Sequence, residues 1–237
     1  MLSKMQHLTP IDPPRTVRIR FRKVGKLQYI SHLDLQRTMQ HCIKRSGIPA
    51  WYTKGFNPHY KLVFALPLSV GAESECELLD LRIDREISNG EILRLFNETV
   101  TEELRGIEAY TPETKFADIA WAAYCVTLTG AAVADGAAEA VRQVLTTSPL
   151  MMIKRSKSGE KEVDLVPMIR AVEASGGAGE LTLRLMLSAA GADYLNPELV
   201  VTALRERLWP GIDDPVQLSW RILRENVYLA DGKTQFR

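Results

Sequence analysis

The 237-residue sequence has few cysteines and no long apolar run. Its three cysteines, Cys42, Cys76 and Cys125, form no C-x-x-C pair and have no spacing suited to structural zinc or an iron–sulfur cluster. This sparse, odd count fits a reducing cytoplasm, where we expect the protein. Residues 119–134 form the longest uncharged run, which is shorter than the roughly 18 to 20 apolar residues that span a bilayer. The N-terminus lacks the apolar core of a signal peptide, so we expect no membrane partner.

The common catalytic and nucleotide-binding motifs are also missing. There is no G-x-x-x-x-G-K-[ST], G-x-G-x-x-G, H-E-x-x-H or G-x-S-x-G pattern. Three carboxylates on one predicted strand, Glu77, Asp80 and Asp84, are interpreted as a solvated edge. These absences favour a protein without encoded catalytic chemistry, and we expect no metal and no cofactor in this chain.

The net charge of +1 conceals a strongly basic segment. Residues 14–61 contain eleven Lys and Arg residues against the single carboxylate of Asp34, a net charge of +10, so the rest of the chain carries −9. Six aromatic residues and three of the four histidines lie in the same segment. Cations for phosphates, interleaved with flat side chains on which bases can stack, are typical of proteins that bind single-stranded or looped RNA. A solvated face, or a surface that docks an acidic partner, is the alternative.

The first half of the chain predicts one unit of strands and helices. Residues 16–23 alternate apolar residues with arginines, which predicts a strand with an arginine face toward solvent or a ligand. Ser31 is the expected N-cap of a helix that ends at Gly47. The later elements are an interrupted strand over 51–52 and 61–66, a strand over 75–83, a helix from Ser88 and a strand over 107–111. The order βαββαβ is the ferredoxin-like pattern.

The second half predicts the same order again. Its elements are a strand over 124–128, a helix over 134–145, strands over 151–155 and 180–187, a helix over 197–208 and a strand over 216–227. A short helix over 163–174, capped by Asp164, is expected as an insertion. The sequence thus predicts an α+β fold of two ferredoxin-like units in tandem. Its parts are a flexible leader over 1–14, a basic N-terminal domain over 15–115 and a C-terminal domain over 122–232.

The candidate binding residues all lie in the basic segment. Besides the arginine strand, the connection over 52–61 combines Gly55 and an Asn57-Pro58 turn with cations and aromatics, a composition that binds more often than it packs. We predict an RNA- or partner-binding surface of twelve residues: Arg18, Arg20, Arg22, Lys26, His32, Lys44, Arg45, Lys54, Phe56, Asn57, His59 and Lys61.

His32 is also a candidate for catalysis. It lies in the first turn of the predicted helix, where the helix N-terminus favours an anion and a neutral imidazole. A neutral His32 could take the proton of a 2′-hydroxyl in metal-independent RNA cleavage, while Lys or Arg stabilises the developing charge. The alternative is a structural histidine that bonds a loop carbonyl.

Several stretches resemble the bacterial DUF2344 family of radical SAM-linked proteins. They are RIRFRK at 18–23, GKLQYISHLD at 25–34, GFNPHYKL at 55–62, ALPL at 65–68, VG at 70–71, EVDL at 162–165 and RENVYL at 224–229. The resemblance covers residue 16 to about residue 232. It implies a protein encoded beside, or fused to, a radical S-adenosylmethionine enzyme. Because this chain lacks the C-x-x-x-C-x-x-C motif, the iron–sulfur cluster and S-adenosylmethionine are expected only in that partner.

A second, fold-level similarity is to the Cas6-like CRISPR RNA endonucleases. These pair two ferredoxin-like domains and often place a catalytic histidine near the first helix, a place comparable to that of His32. Their C-terminal glycine-rich loop is missing here, since Gly191 and Gly232 stand in other contexts. That departure counts against nuclease activity.

Three hypotheses follow from the sequence. The first is a non-catalytic accessory protein of a radical SAM enzyme that binds structured RNA, such as tRNA or rRNA, through its basic N-terminal face. The second is a metal-independent endoribonuclease that uses His32. The third is an interaction module that docks the radical SAM partner without RNA.

Overall fold

The computed structural model describes residues 8–56, 58–156 and 159–237. They form two compact units: the described residues up to Phe116 together with Arg237, and Ala117–Phe236. Each unit combines two α-helices with antiparallel strands. The structure therefore confirms the α+β class.

The first unit has six main elements. They are β1 (Pro10–Lys23), α1 (His32–Ser46), β2 (Leu62–Phe64), β3 (Ala72–Arg85), α2 (Asn89–Asn97) and β4 (Gly106–Tyr110). Within this unit the strands pair antiparallel in the order β4-β1-β3-β2. The N-cap predicted for α1 is confirmed, because Ser31 Oγ accepts a 3.2 Å hydrogen bond from Asp34 N and donates at 2.7 Å to Asp34 Oδ2. Gly47 ends the helix with a φ of 76°.

The core of the first unit lies between its sheet and its two helices. Val17, Ile19 and Phe21 of β1 are fully buried there, and burying a side chain of this size contributes about 1.5–3 kcal/mol. The helices and β3 supply the other main core residues: Leu35, Met39, Ile43, Leu79, Leu81, Ile83, Ile92, Leu95 and Phe96. Because side chains alternate along a strand, the arginines between Val17 and Lys23 point to the opposite face of the sheet.

The structure corrects the predicted leader over 1–14. The first strand begins at Pro10, and Arg82 on β3 donates a 3.1 Å hydrogen bond from Nη2 to Pro14 O. Proline has no N–H to donate, so a proline-rich stretch gives a weak strand signal even where its carbonyls are bonded. Residues 1–7 lie outside the described part of the chain.

The interrupted strand of the first unit follows one edge of β3. Trp51 N donates a 2.8 Å hydrogen bond to Arg82 O, and β2 pairs with residues 79–81 farther along the same edge. Between these two stretches the chain leaves the sheet as a loop. The sequence predicted this interruption from the glycine and proline it contains.

The second unit has eight main elements. They are β5 (Trp121–Thr129), α3 (Ala137–Thr146), β6 (Met151–Ser156), β7 (Gly159–Asp164), β8 (Ile169–Gly177), β9 (Glu180–Ser188), α4 (Pro197–Leu208) and β10 (Ser219–Tyr228). Four of its strands pair antiparallel in the order β10-β5-β9-β8, and β6 and β7 form a separate hairpin. The predicted start of α4 is confirmed, since Asn196 Oδ1 accepts a 3.1 Å hydrogen bond from Glu198 N.

Two predictions for the second unit are wrong. Residues 151–155 do form the predicted strand, but it pairs with β7 in the hairpin and does not join the larger sheet of the unit. Residues 163–174 contain the end of β7, a 3-10 turn at Val166–Met168 and the start of β8 in place of a short helix. The edge strand β8 is mostly exposed and rich in small residues, so it lacks the apolar alternation that marks a strand. Asp164 accepts hydrogen bonds from Leu150 N and Val166 N at 2.9 and 3.1 Å.

Candidate RNA-binding surface

The eleven cations of the basic segment fall into two groups that differ in environment. Most of the six at positions 15 to 26 form hydrogen bonds or ion pairs within the first unit. Arg15, for example, donates to Asn89 Oδ1 and Lys23 donates to Ala72 O, each at 2.8 Å. The other five are all exposed: Arg37, Lys44, Arg45, Lys54 and Lys61. With Asp34 as the one carboxylate in the sequence from 31 to 61, this part of the chain carries a net charge of +4.

Arg18 is enclosed by its own unit. Its side chain is 1% exposed, and its Nε and Nη2 donate to Asp80 Oδ1 and Oδ2 at 2.7 and 2.9 Å. The guanidinium also lies 4.3 Å from the centre of the Phe116 ring and donates at 3.1 Å to Thr114 O. The predicted arginine face is therefore closed at Arg18, which is not accessible to a ligand.

Two of the other predicted residues near β1, Arg22 and Lys26, lie beside carboxylates. Arg22 donates from Nε to Glu102 O at 2.6 Å and from Nη2 to Glu102 Oε2 at 2.9 Å. Lys26 is exposed close to Glu103, whose pKa is lowered mainly by hydrogen bonding with Thr101 and less by the nearby cations. Arg20 is half-buried, and its Nε is buried without a hydrogen-bond partner in the described part of the chain.

The net charge of each unit also shows that carboxylates offset most of the cations of the basic segment. Residues 1–116 with Arg237 contain 18 Lys and Arg against 14 Asp and Glu, a net charge of +4. Residues 117–236 contain 12 against 15, a net charge of −3. Most of the charge of the +10 segment is therefore compensated within its own unit, by carboxylates later in the sequence.

The loop between Trp51 and β2 projects from a braced base. Thr53 N donates to His59 O at 2.9 Å, and His59 N donates to Thr53 Oγ1 at 3.1 Å. The rings of Tyr52 and Tyr60 lie against each other with their centres 4.2 Å apart. Burial raises the pKa of Tyr60, and its hydrogen bond with Tyr52 raises it further. These contacts hold the two ends of the loop together.

The tip of this loop presents its side chains to solvent. Phe56 is fully exposed, and Lys54, His59 and Lys61 are exposed beside it in the sequence. Gly55 has a φ of 132°, a backbone conformation that L side chains rarely adopt. The predicted binding residue Asn57 lies outside the described residues. A free aromatic ring among cations is the arrangement that base stacking and phosphate contact both require.

The exposed face of α1 carries the other exposed cations of residues 31–61. Arg37, His41 and Lys44 follow one another at helical spacing on the side away from the core. Arg37 pairs with Asp34 at 3.0 Å, and Arg45 donates to Thr99 O at 3.5 Å. The exposed cations of α1 and of residues 52–61, together with Phe56, are named the α1–loop surface.

His32 connects α1 to the strand that follows the loop. Its ring packs edge-on against Phe64 of β2, with ring centres 5.6 Å apart. The Gln36 amide nitrogen lies 2.9 Å from His32 Nε2, and because an amide NH₂ can only donate, Nε2 accepts. The nitrogen that would take a proton from RNA is thus engaged within the helix. The contact also places the start of α1 beside the last residue of β2.

Sequence analysis missed two exposed residues at the start of α1. Tyr29 is 69% exposed and Leu33 is 63% exposed. A 2.8 Å hydrogen bond from Gly71 N to Gln28 O joins the turn that contains Tyr29 to the residue just before β3. The sequence does contain a signal for Leu33: this apolar residue beside Asp34 falls on the polar side of the amphipathic pattern of α1.

Two further classes of feature, metal sites and membrane-spanning helices, are absent from the described residues. No described group of three or more His, Cys, Asp and Glu side chains has an arrangement that could hold a metal ion. No helix in the described ranges is long and apolar enough to cross a membrane.

Comparison with known proteins gives a family and little else. No curated protein matches the chain. A crystal structure of an unknown protein from Galdieria sulphuraria aligns with 89% of this chain and 98% of its own, at 12% sequence identity and a TM-score of 0.24. That similarity is too low to indicate a shared fold.

The match to a family model is more extensive. The model of the family described as "Uncharacterized protein conserved in bacteria (DUF2344)" matches residues 16–197. This range includes all of α1, the projecting loop and the β6–β7 hairpin. Since more than half of the chain is matched, the protein belongs to the DUF2344 family.

Proposed function

We propose that this protein is a non-catalytic accessory protein that binds a single-stranded or looped region of a structured RNA through the α1–loop surface. One observation carries the proposal: the five cations from Arg37 to Lys61 are all exposed, and in the sequence Lys54 and Lys61 lie on either side of Phe56, whose ring is fully exposed. Cations supply phosphate contacts, and an exposed ring supplies a stacking platform for an unpaired base.

The geometry favours an unpaired strand over a duplex. A projecting loop with one exposed ring can stack on a splayed base, whereas bases inside a helix are already stacked on each other. The base of the loop is braced by Thr53, His59 and the tyrosine pair, so less conformational entropy is lost when the tip binds. Arg18 is left out of this surface because it is buried against Asp80.

The radical SAM association remains part of the proposal and rests on the family resemblance. The partner enzyme would supply the iron–sulfur cluster and S-adenosylmethionine, because the three cysteines here lack the cluster-binding spacing. A cytoplasmic location is proposed on the same cysteine usage. We also propose that both units are ferredoxin-like domains, supported by their shared order of strand pairing, in which the first strand lies between the last and the third.

Endoribonuclease activity at His32 is less well supported. A general base needs a free nitrogen within about 2.6–3.2 Å of the proton it removes, and His32 Nε2 already accepts from Gln36. Incubating labelled RNA in EDTA with the wild type and His32→Ala tests this hypothesis. If the wild type cleaves the RNA and His32→Ala does not, the protein is an endoribonuclease and the proposal of a non-catalytic role is wrong.

Fluorescence anisotropy with a labelled unstructured RNA tests the proposal. We expect the wild type to bind with an affinity that falls steeply as salt rises, because phosphate contacts release counterions. The variant Lys54→Gln/Phe56→Ala/Lys61→Gln is expected to bind at least about tenfold more weakly, a loss of about 1.4 kcal/mol. All three side chains are exposed, so the fold is expected to be unchanged.

A matched control removes the same side-chain types elsewhere. The variant Lys161→Gln/Val216→Ala/Lys233→Gln deletes two exposed lysines and one exposed apolar side chain of the second unit. Its RNA affinity is expected to equal that of the wild type. Undetectable binding, binding that ignores salt, or equal losses in both variants would contradict the proposal. The last result would mean that RNA binds to positive charge in general and not to a defined site.

A further inference from the structure

An open apolar groove crosses the second unit, on a surface that the RNA proposal does not use. It lies between the β6–β7 hairpin and α4 and encloses about 460 Å³. A second hollow of about 330 Å³ continues it along α4 and shares Thr202 and Glu206 with it. Together they have the volume of a binding cleft for several side chains.

The hairpin contributes exposed apolar side chains to this groove. Met151 and Ile153 are large hydrophobic residues on β6 that remain 37% and 56% exposed. Leu199 of α4 faces them across the groove. Methionine is flexible and polarisable and is common on surfaces that bind partner proteins. Exposed apolar residues gathered on one rim of a cleft are typical of an interaction site.

Carboxylates border the apolar floor. Glu162 lies directly across the hairpin from Ile153, and Glu206 lies on α4 two turns after Leu199. Both are exposed, and neither forms an ion pair with a described residue. At the far end of the groove Asp213 is paired with Arg205 at 3.0 Å. Among the described residues that line the 460 Å³ hollow, the charged side chains are therefore both negative.

We propose that this groove docks a segment of a partner protein that carries apolar side chains flanked by Lys or Arg. Apolar side chains would cover Met151, Ile153 and Leu199, and the flanking cations would meet Glu162 and Glu206. Charge complementarity selects this occupant: an acidic segment would place like charges together, which costs affinity, and a purely cationic one would leave the apolar floor exposed. The groove is open and elongated, which suits a peptide segment.

The site would complete a division of labour between the two units. The first unit has a net charge of +4 and carries the α1–loop surface, whereas the second has a net charge of −3 and this acidic rim. One surface can then hold a polyanion while the other holds a cationic protein segment. The docking proposal does not depend on RNA binding, because it uses no residue of the α1–loop surface.

Labelled model peptides test the docking proposal on the full chain. Three peptides of equal length are compared by anisotropy: one of Leu and Lys, one of Leu and Glu, and one of Ser and Lys. We expect the Leu/Lys peptide to bind at least about tenfold more tightly than the other two, the effect of about 1.4 kcal/mol of combined selectivity. Equal affinities for the Leu/Lys and Leu/Glu peptides would overturn the proposal.

Paired charge variants locate the binding site. The variant Glu162→Gln/Glu206→Gln is expected to weaken Leu/Lys binding about tenfold. The control Glu173→Gln/Glu180→Gln makes the same change in charge at exposed positions outside the groove and is expected to have no effect. RNA affinity is expected to stay unchanged in both variants, so failure of docking and failure of RNA binding are distinguishable.

Methyl NMR reports on the floor of the groove directly. With ¹³C-methyl methionine, the Leu/Lys peptide is expected to shift the signals of Met151 and Met152, and Ile153→Ser is expected to weaken binding. Unshifted signals in the presence of bound peptide would contradict the assignment. Concentration-dependent self-association that Ile153→Ser abolishes would assign the groove to a second copy of the chain and would also overturn the proposal.

Discussion

Arg18 on β1 and Asp80 on β3 form a two-point ion pair across neighbouring strands, with Nε–Oδ1 and Nη2–Oδ2 distances of 2.7 and 2.9 Å. The planar guanidinium matches the carboxylate at both oxygens, which is the strongest geometry available to such a pair. The most distinctive charge pattern in the sequence, an alternating arginine strand, thus begins with a structural residue. Apart from Lys26, the exposed cations of the basic segment are those of α1 and the loop.

Breaking this pair is expected to destabilise the first unit without changing RNA binding. Arg18→Met leaves the carboxylate of Asp80 without its partner, and removing one member of a buried pair costs about 3–5 kcal/mol. Urea unfolding followed by circular dichroism measures the change. Arg105→Met, which breaks an exposed pair with Glu102, is the control and is expected to cost no more than about 1 kcal/mol.

The double variant Arg18→Met/Asp80→Leu checks the physical reason. It removes both charges together, so we expect it to be more stable than Arg18→Met alone. Equal instability in the single and double variants would mean that the lost packing on Phe116, and not the unpaired carboxylate, dominates.

Gly106 is expected to tolerate no side chain, because α2 closes over β4 at this point. A Cβ would lie 2.8 Å from Leu93 Cδ1 and 2.9 Å from Phe96 Cδ1, and overpacking of this kind costs about 1–3 kcal/mol. Gly106→Ala should lower the urea midpoint. In Gly90→Ala, a Cβ would meet no atom within 4 Å and the helix propensity would rise, so unchanged or higher stability is expected. Equal effects of the two variants would contradict the packing argument.

Asp231 is expected to stabilise the second unit only above the acidic range. Its carboxylate accepts hydrogen bonds from Lys233 N, Thr234 N and Thr234 Oγ1, and these lower its pKa to about 2. A depressed folded-state pKa gives stability that is present above the unfolded value of about 3.9 and is lost as pH falls toward 2. Thermal unfolding of Asp231→Ala should show a lower Tm than the wild type at pH 6.

The same gap in Tm is expected to narrow between pH 4 and pH 2, because the wild-type carboxylate becomes protonated there. Asp193→Ala is the control, since the Asp193 carboxylate makes no hydrogen bond to a described residue. If the difference in Tm between the wild type and Asp231→Ala stays constant down to pH 2, the negative charge of Asp231 does not stabilise the turn.

Phe56 is expected to contribute affinity and no stability. Its ring is fully exposed, and stacking of one base on an aromatic side chain is worth about 1–3 kcal/mol. Phe56→Ala should therefore weaken RNA binding by about 5- to 150-fold with unchanged unfolding, and Phe56→Tyr should retain binding. Val216→Ala, which removes another exposed apolar side chain, should have no effect. Equal affinity for Phe56→Ala and the wild type would remove the stacking role.

Local signals in the sequence predicted the parts of the fold that depend on neighbouring residues. The cap at Ser31 and the helix starts at Ser88 and Asn196 lie where expected, because each rests on side-chain chemistry within three residues. The loop over 52–61 also projects where its glycine and proline indicated an interruption.

Long-range partners could not be predicted from one sequence. Asp80 is 62 residues from Arg18, so nothing near the arginine strand showed that its first member is buried. The pairing of β6 with β7 was missed for a related reason: residues 151–155 predict a strand but do not specify which strand it pairs with. The acidic rim of its groove combines Glu162 and Glu206, which only the packing of α4 brings together.

The dependence of RNA affinity on salt tests the central claim most directly. For single-stranded RNA each phosphate contact adds about 0.7 to the slope of log affinity against log salt. We predict that Lys54→Gln/Lys61→Gln lowers the magnitude of the slope by about 1.4, and that Arg18→Met/Asp80→Leu leaves it unchanged. A wild-type slope near zero, or a slope that falls with Arg18 and not with the loop lysines, would contradict the assignment of phosphate contacts to the α1–loop surface.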